Sequence, residues 1–358
     1  MRRTAFLAPV VVGAGLSLLA VVATAADDGY KQTNLVSDIA HLAKHTDPNL
    51  VNPWGVAQNP QNGLVWVNDN GMGVATVYRP DGRPAADPHH PLVVTIPPPT
   101  GGAGPATPTG LVFNPTQDFV VSKGAAAGPS RFLFVTEDGT ISGWNPNVDM
   151  THAILKVDHS PMGAVYKGAT LAETNTGPLL YVANFCGGTI EIYDGTFTPV
   201  NLGAGAFTDP SLPAGFGPFN IRNLNGVLYV TYAKQKSPCH DDDAALGNGF
   251  VNVFGFDGTF LARVASKGTL NSPWGLALAP PTFGRFANTL LVGNFGDGKI
   301  TAFTAGSPLG QLEDEHGSVI AIEGLWSLVF AADPSNRLFF AAGPNDESDG
   351  LFGRIQPH

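Results

Sequence analysis

The sequence predicts an all-β fold: a six-bladed β-propeller, closed by an N-terminal strand in the last blade. Three observations predict it. A unit of roughly fifty-odd residues recurs along the chain, the range in which repeats build stacked or radial arrays. Every unit contains the same pair of strand signals. The spacing is even: Gly55, Gly110, Gly168, Asn220, Gly275 and Ser327 stand at one phase, at intervals of 55, 58, 52, 55 and 52 residues. That spacing leaves no room for a second domain, so residues 26–358 are expected to form one propeller.

The inner strand opens each unit: Pro53-Trp54-Gly55-Val56, Pro108-Thr109-Gly110-Leu111, Tyr166-Lys167-Gly168-Ala169, Pro218-Phe219-Asn220-Ile221, Pro273-Trp274-Gly275-Leu276 and Leu325-Trp326-Ser327-Leu328. Glycine at this phase lets the innermost backbone approach the crowded axis. A second strand follows, as in Leu64–Val67, Phe132–Val135, Leu179–Val182, Val227–Val230, Thr289–Val292 and Arg337–Phe340. Turns and third strands come next, such as Thr189–Tyr193 and Lys299–Phe303. Four strands per unit make radial sheets. The last unit offers only three, over 325–330, 338–342 and 351–355, so Tyr30 to Val36 is expected to supply its fourth. Joining first and last segments removes an exposed sheet edge.

The 44 Gly and 30 Pro are spread as turn punctuation, and 13% charged with 43% hydrophobic residues suits a packed core. Residues 1–25 read as a signal peptide. Arg2 and Arg3 precede an apolar run from Phe6 to Val22, and Ala23-Thr24-Ala25 fits the cleavage pattern. The alternative is a retained anchor, because the run approaches the ~18 residues of a span. Export and release, to the periplasm or the cell exterior, is the simpler reading, with no stable membrane insertion afterwards.

Losing Arg2 and Arg3 makes the formal charge two units more negative than −10. With no Lys/Arg cluster, nucleic acid is not an expected partner. Cys186 and Cys239 both follow second strands, in adjacent units, and export favours a disulfide between them. Separate thiols or a soft-metal pair are the alternatives. Loops give individuality: Ile96–Pro108, Lys234–Asn248 with Cys239-His240-Asp241-Asp242-Asp243, and Ser37–Leu50, where Ser37-Asp38 is a possible helix cap. By the propeller winding, the first two project from one face, the top.

Thr33-Asn34-Leu35-Val36-Ser37-Asp38, Asp47-Pro48-Asn49-Leu50-Val51-Asn52-Pro53-Trp54-Gly55, Val94–Pro99, Gly324-Leu325-Trp326 and Gly350-Leu351-Phe352-Gly353 resemble an exported bacterial propeller family of unknown function. Some of its members carry a PEP-CTERM sorting signal, which has no counterpart in this sequence. The units also look like distant NHL-type repeats. The resemblance implies six blades and supplies no catalytic residues.

The candidate chemistry lies where second strands end, at Asp69, Glu137, Asn184, Tyr232, Asn294 and Ala342. Asp69, Glu137, Asn184 and Asn294 offer oxygen ligands for Ca²⁺ or another divalent cation at a funnel mouth, as in lactonase-like six-bladed propellers. The competing reading is that Asp and Asn here are hairpin residues bonding their own backbone. Trp54, Trp274 and Trp326 share one phase, either as packing or as an aromatic platform for a ligand. Tyr232 and His240 complete a candidate ligand set. There is no GxSxG elbow, phosphate loop or HExxH.

Two function classes follow. The first is an exported binding module using its top face for a small molecule, a glycan or a protein. The second is a metal-dependent hydrolase or lactonase with a cation in the central funnel.

Overall fold

The computed structural model describes residues 29–85, 92–332 and 334–358. The expected leader, residues 1–25, lies outside them. The described residues form a six-bladed β-propeller. The inner strands are Pro53–Gln58, Pro108–Phe113, Tyr166–Thr174, Phe216–Leu224, Pro273–Leu278 and Leu325–Phe330, in blades one to six. Each pairs antiparallel with a second strand: Val65–Asp69, Phe132–Thr136, Gly177–Asn184, Val227–Lys234, Leu290–Asn294 and Leu338–Ala342.

Period-2 alternation explains how the blades cohere. In blade two, Phe132 and Phe134 face blade one, against Trp66 and Val77, while Leu133 and Val135 face blade three, against Leu180 and Val182. The pattern repeats around the ring, giving one apolar cluster at each of the six blade interfaces. Both sheet faces are therefore buried, which is why the strands read as nearly continuous apolar runs. Glycine at the repeat phase has the predicted cause. A Cβ on Gly55 would stand 2.3 Å from the Thr109 carbonyl oxygen, and one on Gly168 would stand 2.2 Å from Asn220 Oδ1.

Ring closure is as expected. Tyr30–Ser37 pairs antiparallel with Leu351–Pro357, from Tyr30 opposite Pro357 to Ser37 opposite Leu351. Two local expectations differ. Blade three has three strands in its sheet, ending at Thr189–Asp194, because the chain beyond it passes into turns. Ser37-Asp38 opens a turn rather than a helix, with Ser37 Oγ accepting from Ile39 N–H at 3.1 Å. Ser37 Oγ donates to the Gly350 carbonyl at 2.6 Å and Asp38 Oδ1 accepts from Gly350 N–H at 2.8 Å, so both tie the closing strand to blade six. Among the described residues the helices are three single 3₁₀ turns, and no helix is long and apolar enough to cross a membrane.

The Ile96–Pro108 link and the Lys234–Asn248 loop share the face on which second strands end. Ile96 N–H donates to the Gly73 carbonyl, and Glu137 N–H to that of Thr107. Cys186 and Cys239 form a disulfide that staples the blade-four loop to blade three.

Candidate functional site

The residue before the close-approach position of each blade sits on the innermost ring. Around the ring these are Trp54, Thr109, Lys167, Phe219, Trp274 and Trp326. The aromatic ones pack together at the axis, and Thr109 Oγ1 instead donates to the Val135 and Tyr166 carbonyls. Trp54 and Trp326 stack with ring centroids 3.4 Å apart. Trp274 meets both edge-on at 6.2 and 6.0 Å, and Phe295 stacks on Trp326 at 4.0 Å. With Phe185, Phe219 and Ala233 they form a seventh apolar cluster that fills the upper axis. The indoles are 1–3% exposed. Their N–H groups find partners, as buried indoles require. Trp54 Nε1 and Trp326 Nε1 donate to Asn52 Oδ1 at 3.1 and 3.3 Å, and Trp274 Nε1 donates to the Lys167 carbonyl at 3.1 Å.

A polar layer sits on this plug. Asn52 Nδ2 donates to Asn70 Oδ1 at 3.4 Å, Asn70 Nδ2 donates to Glu137 Oε2 at 2.9 Å, and Lys167 Nζ donates to Glu137 Oε1. The Lys167 ammonium also lies 5.0 Å from the centroid of the Trp54 ring. One hydrogen-bonded chain thus runs from two indoles, through two amides, to a buried ion pair. It joins blades six, one, two and three.

The rim above carries more acid than base. The disulfide anchors the loop bearing His240, Asp241 and Asp242. His240 Nδ1 and Asp241 Oδ1 are 2.8 Å apart, and one ligand atom each from Glu137, His240 and Asp241 lie within 4.8 Å of one another. Asp242 Oδ2 and Glu347 Oε1 are buried with no hydrogen-bond partner. Burial raises the Asp242 carboxyl above the usual range, against the pull of Ser272 and Lys167. Burial and the Glu137 charge push Glu347 up to about 7, with Asn52 and Lys167 opposing. Glu347 ends a run of three left-handed residues, Asn345, Asp346 and Glu347, at φ 56°, 53° and 64°. Such a run is uncommon in non-glycine residues and holds the loop in a strained turn. It sets Glu347 in a cleft of about 430 Å³ beside Phe295, Asp297 and Glu323.

The sequence-derived ligands are distributed differently. Asp69, Asn184, Tyr232 and Asn294 pair with residues at or near the start of their inner strands, opposite Pro53, Tyr166, Pro218 and Pro273. In blade two that position belongs to Thr136, opposite Pro108, so Glu137 stands one residue further along. One residue reverses the side-chain direction. Glu137 therefore joins Asn70, Phe185 and Phe295 at the axis, while the others bond locally. Asp69 accepts from Thr76 Oγ1 at 2.8 Å, and burial holds its carboxyl well above the ordinary range. Asn184 Oδ1 accepts from Val165 and Gly187 N–H, and its Nδ2 donates to Glu191. Asn294 Oδ1 accepts from Asn271 N–H, and its Nδ2 donates to the Thr269 carbonyl and Asp297. Tyr232 is buried between blades three and four. Of the candidate metal set, only Glu137 sits in the ligand group with His240.

Sequence reasoning missed Asn52, Asn70, Lys167 and Glu347. Lys167 had a readable signal, as the one charged residue in the axial ring of Trp, Thr, Phe and Trp. It also missed a network on blade three. There Glu191 accepts from Tyr166 OH and Tyr193 OH, both at 2.6 Å, and from Asn184 Nδ2 at 2.7 Å, beside His159. Burial raises the Glu191 carboxyl, but these donors outweigh it and leave it below the usual range.

No protein-family profile matches the chain. It is 33% identical over 333 residues to the uncharacterised protein R648 of Acanthamoeba polyphaga mimivirus, covering 91% of this chain and 80% of that protein. It is 32% identical over 339 residues to protein L690 of the same virus, also uncharacterised, covering 91% and 85%. Among solved structures, a protein of unknown function from Bacteroides thetaiotaomicron aligns with TM-score 0.54 and 10% identity over 91% of this chain and 76% of that one, a likeness of fold. A gluconolactonase from Xanthomonas campestris aligns with TM-score 0.42 and 15% identity over 70% and 85%, too weak a likeness to bear on chemistry.

Proposed function

The chain belongs to the same family as the mimivirus proteins R648 and L690, and we propose that it is a binding module whose top face holds a ligand through a divalent cation at Glu137, His240 and Asp241. The observation that carries this reading is the close approach of those three ligand atoms, from two blades, above a sealed axis. One imidazole nitrogen and two carboxylates suit Zn²⁺ or Mn²⁺ better than an all-oxygen Ca²⁺ site. Glu137 keeps ligand capacity beyond its bonds to Lys167 and Asn70, since a carboxylate has about four lone-pair sites. The exposed rim then leaves coordination positions for an oxygen-rich small molecule or glycan, or for a side chain of a protein partner. The disulfide fits an oxidising compartment, in keeping with export by the leader.

Calorimetry with Zn²⁺, Mn²⁺ and Ca²⁺ on purified, metal-stripped protein tests the reading. One site is expected, weakened at least about tenfold in His240→Ala and Asp241→Asn, the loss of one ligand. Absence of saturable binding by all three ions, or unchanged affinity in both variants, would refute it.

A second reading, a metal-dependent hydrolase, is favoured by Glu347. Its carboxyl is pushed up to about 7 and has a buried oxygen without a partner, which are properties of a general base. A cation there would polarise a carbonyl group. Turnover of simple lactones and esters by metal-loaded protein, abolished by Glu347→Gln with metal affinity kept, would replace the binding reading with this one.

A further inference from the structure

The lower mouth of the axis, on the face opposite the site above, holds a charge with no partner. Below the tryptophan plug the inner strands diverge around a cavity of about 560 Å³. Val56, Leu111, Phe113, Leu171 and Phe330 supply apolar wall from four blades. Arg222, on the inner strand of blade four, lines the same cavity.

The neighbouring polar groups are already engaged. Gln58 Nε2 donates to the Gly63 carbonyl at 2.9 Å, and Gln58 Oε1 accepts from Ala332 N–H at 2.6 Å. Asn223 Nδ2 donates to the Leu171 carbonyl at 3.2 Å. Glu173, the other charged residue on the wall, is exposed and makes no ion pair with Arg222. Among the described residues Arg222 has neither a hydrogen-bond acceptor nor a carboxylate partner for its guanidinium. Burial lowers its pKa to about 10, and no nearby anion opposes that shift. The group stays protonated at neutral pH. Arg222 is half-buried at the cavity wall, and a partly desolvated guanidinium without a counter-charge carries a cost that an anionic partner would offset.

We propose that the lower cavity is a binding site for a small organic monocarboxylate with an apolar body. The carboxylate takes the two-pronged donor face of Arg222, and the body lies against the apolar wall. The volume falls within the usual range of small-molecule sites, roughly 300–1,000 Å³, as does the lining of apolar walls with one placed charge. This site is independent of the top-face cation site.

Calorimetric titration of the whole chain with octanoate, octanol and inorganic phosphate tests the proposal. Octanoate is expected to bind at one site, at least about tenfold more tightly than octanol, the range of a charge-assisted hydrogen bond. Phosphate is expected not to displace it. Arg222→Met should abolish the preference for octanoate over octanol, with a melting temperature equal to or above that of the parent, because an apolar group replaces an unpaired charge. Arg222→Lys should retain part of the preference. Equal affinity for octanoate and octanol in the unaltered protein overturns the proposal without any variant. So does displacement by equimolar phosphate, octanoate binding unchanged in Arg222→Met, or a marked fall in that variant's melting temperature.

Discussion

Lys167 donates to Glu137 across the boundary between blades three and two, and both side chains are at least nine-tenths buried. The pair sits directly on the tryptophan plug, largely withdrawn from water. Removing one member leaves an uncompensated buried charge, a loss of roughly 3–5 kcal/mol. Lys167→Met and Glu137→Gln should each lower stability by that order in urea unfolding. The double variant should recover most of it, giving a coupling energy well above the 0–1 kcal/mol of an exposed pair. Additive losses would show that the two charges act separately.

The rim acid Glu347 makes stability depend on pH. Its carboxyl ordinarily titrates near 4.5 and is pushed up to about 7, chiefly by burial. The folded state thus holds this proton more tightly than the unfolded state. The associated stability is complete below about pH 4.5 and is lost as pH rises through 7. Glu347→Gln should therefore match the parent at pH 4.5 and exceed it at pH 8 by up to about 3 kcal/mol, less whatever solvent screens at this partly buried position. Thermal melts of both proteins across that range measure the difference, and parallel pH profiles would contradict the assignment.

The architecture was legible because the repeat imposes it. Glycine or a small residue must recur wherever inner strands crowd the axis, and paired strand signals must recur around it. The site was less legible because its geometry depends on register. Asp69, Asn184 and Asn294 read as the companions of Glu137, yet a one-residue offset in blade two directs Glu137 to the axis, while the others bond their own corners. Asn52 and Glu347 lie outside the strands, in loops whose paths no periodicity specifies. Glu347 owes its place to three successive left-handed residues, which composition alone does not announce. Arg222 carried no signal in the sequence, since its lack of a partner is a property of the closed ring.

The Cys186–Cys239 bond closes a 53-residue separation between adjacent blades. In the chain-entropy account, a cross-link of that span stabilises by about 4 kcal/mol. The paired Ser variant should lose stability of that order. It should also weaken cation binding, because the loop carrying His240 and Asp241 loses its anchor to blade three. Mass spectrometry without reductant should find the parent two hydrogens lighter than its reduced form. Two free thiols in the oxidised preparation would contradict the bond.

Removal of residues 29–37 probes how the ring is held. Tyr30–Ser37 supplies the outer strand of blade six, and its side chains reach well beyond that pairing. Tyr30 OH donates to the Phe283 carbonyl at 3.0 Å and accepts from Phe286 N–H at 3.1 Å, both in blade five. Leu35 and Val36 are buried in the interface between blades six and one. Excision therefore opens an unpaired edge along Leu351–Pro357 and uncovers two blade interfaces at once. Closure by the N-terminal strand predicts loss of the single cooperative transition, with early melting and edge-driven association. Circular dichroism melts and light scattering on the excised chain read both. A single transition within a few degrees of the parent, in a monomeric chain, would show that the interfaces hold without the clasp.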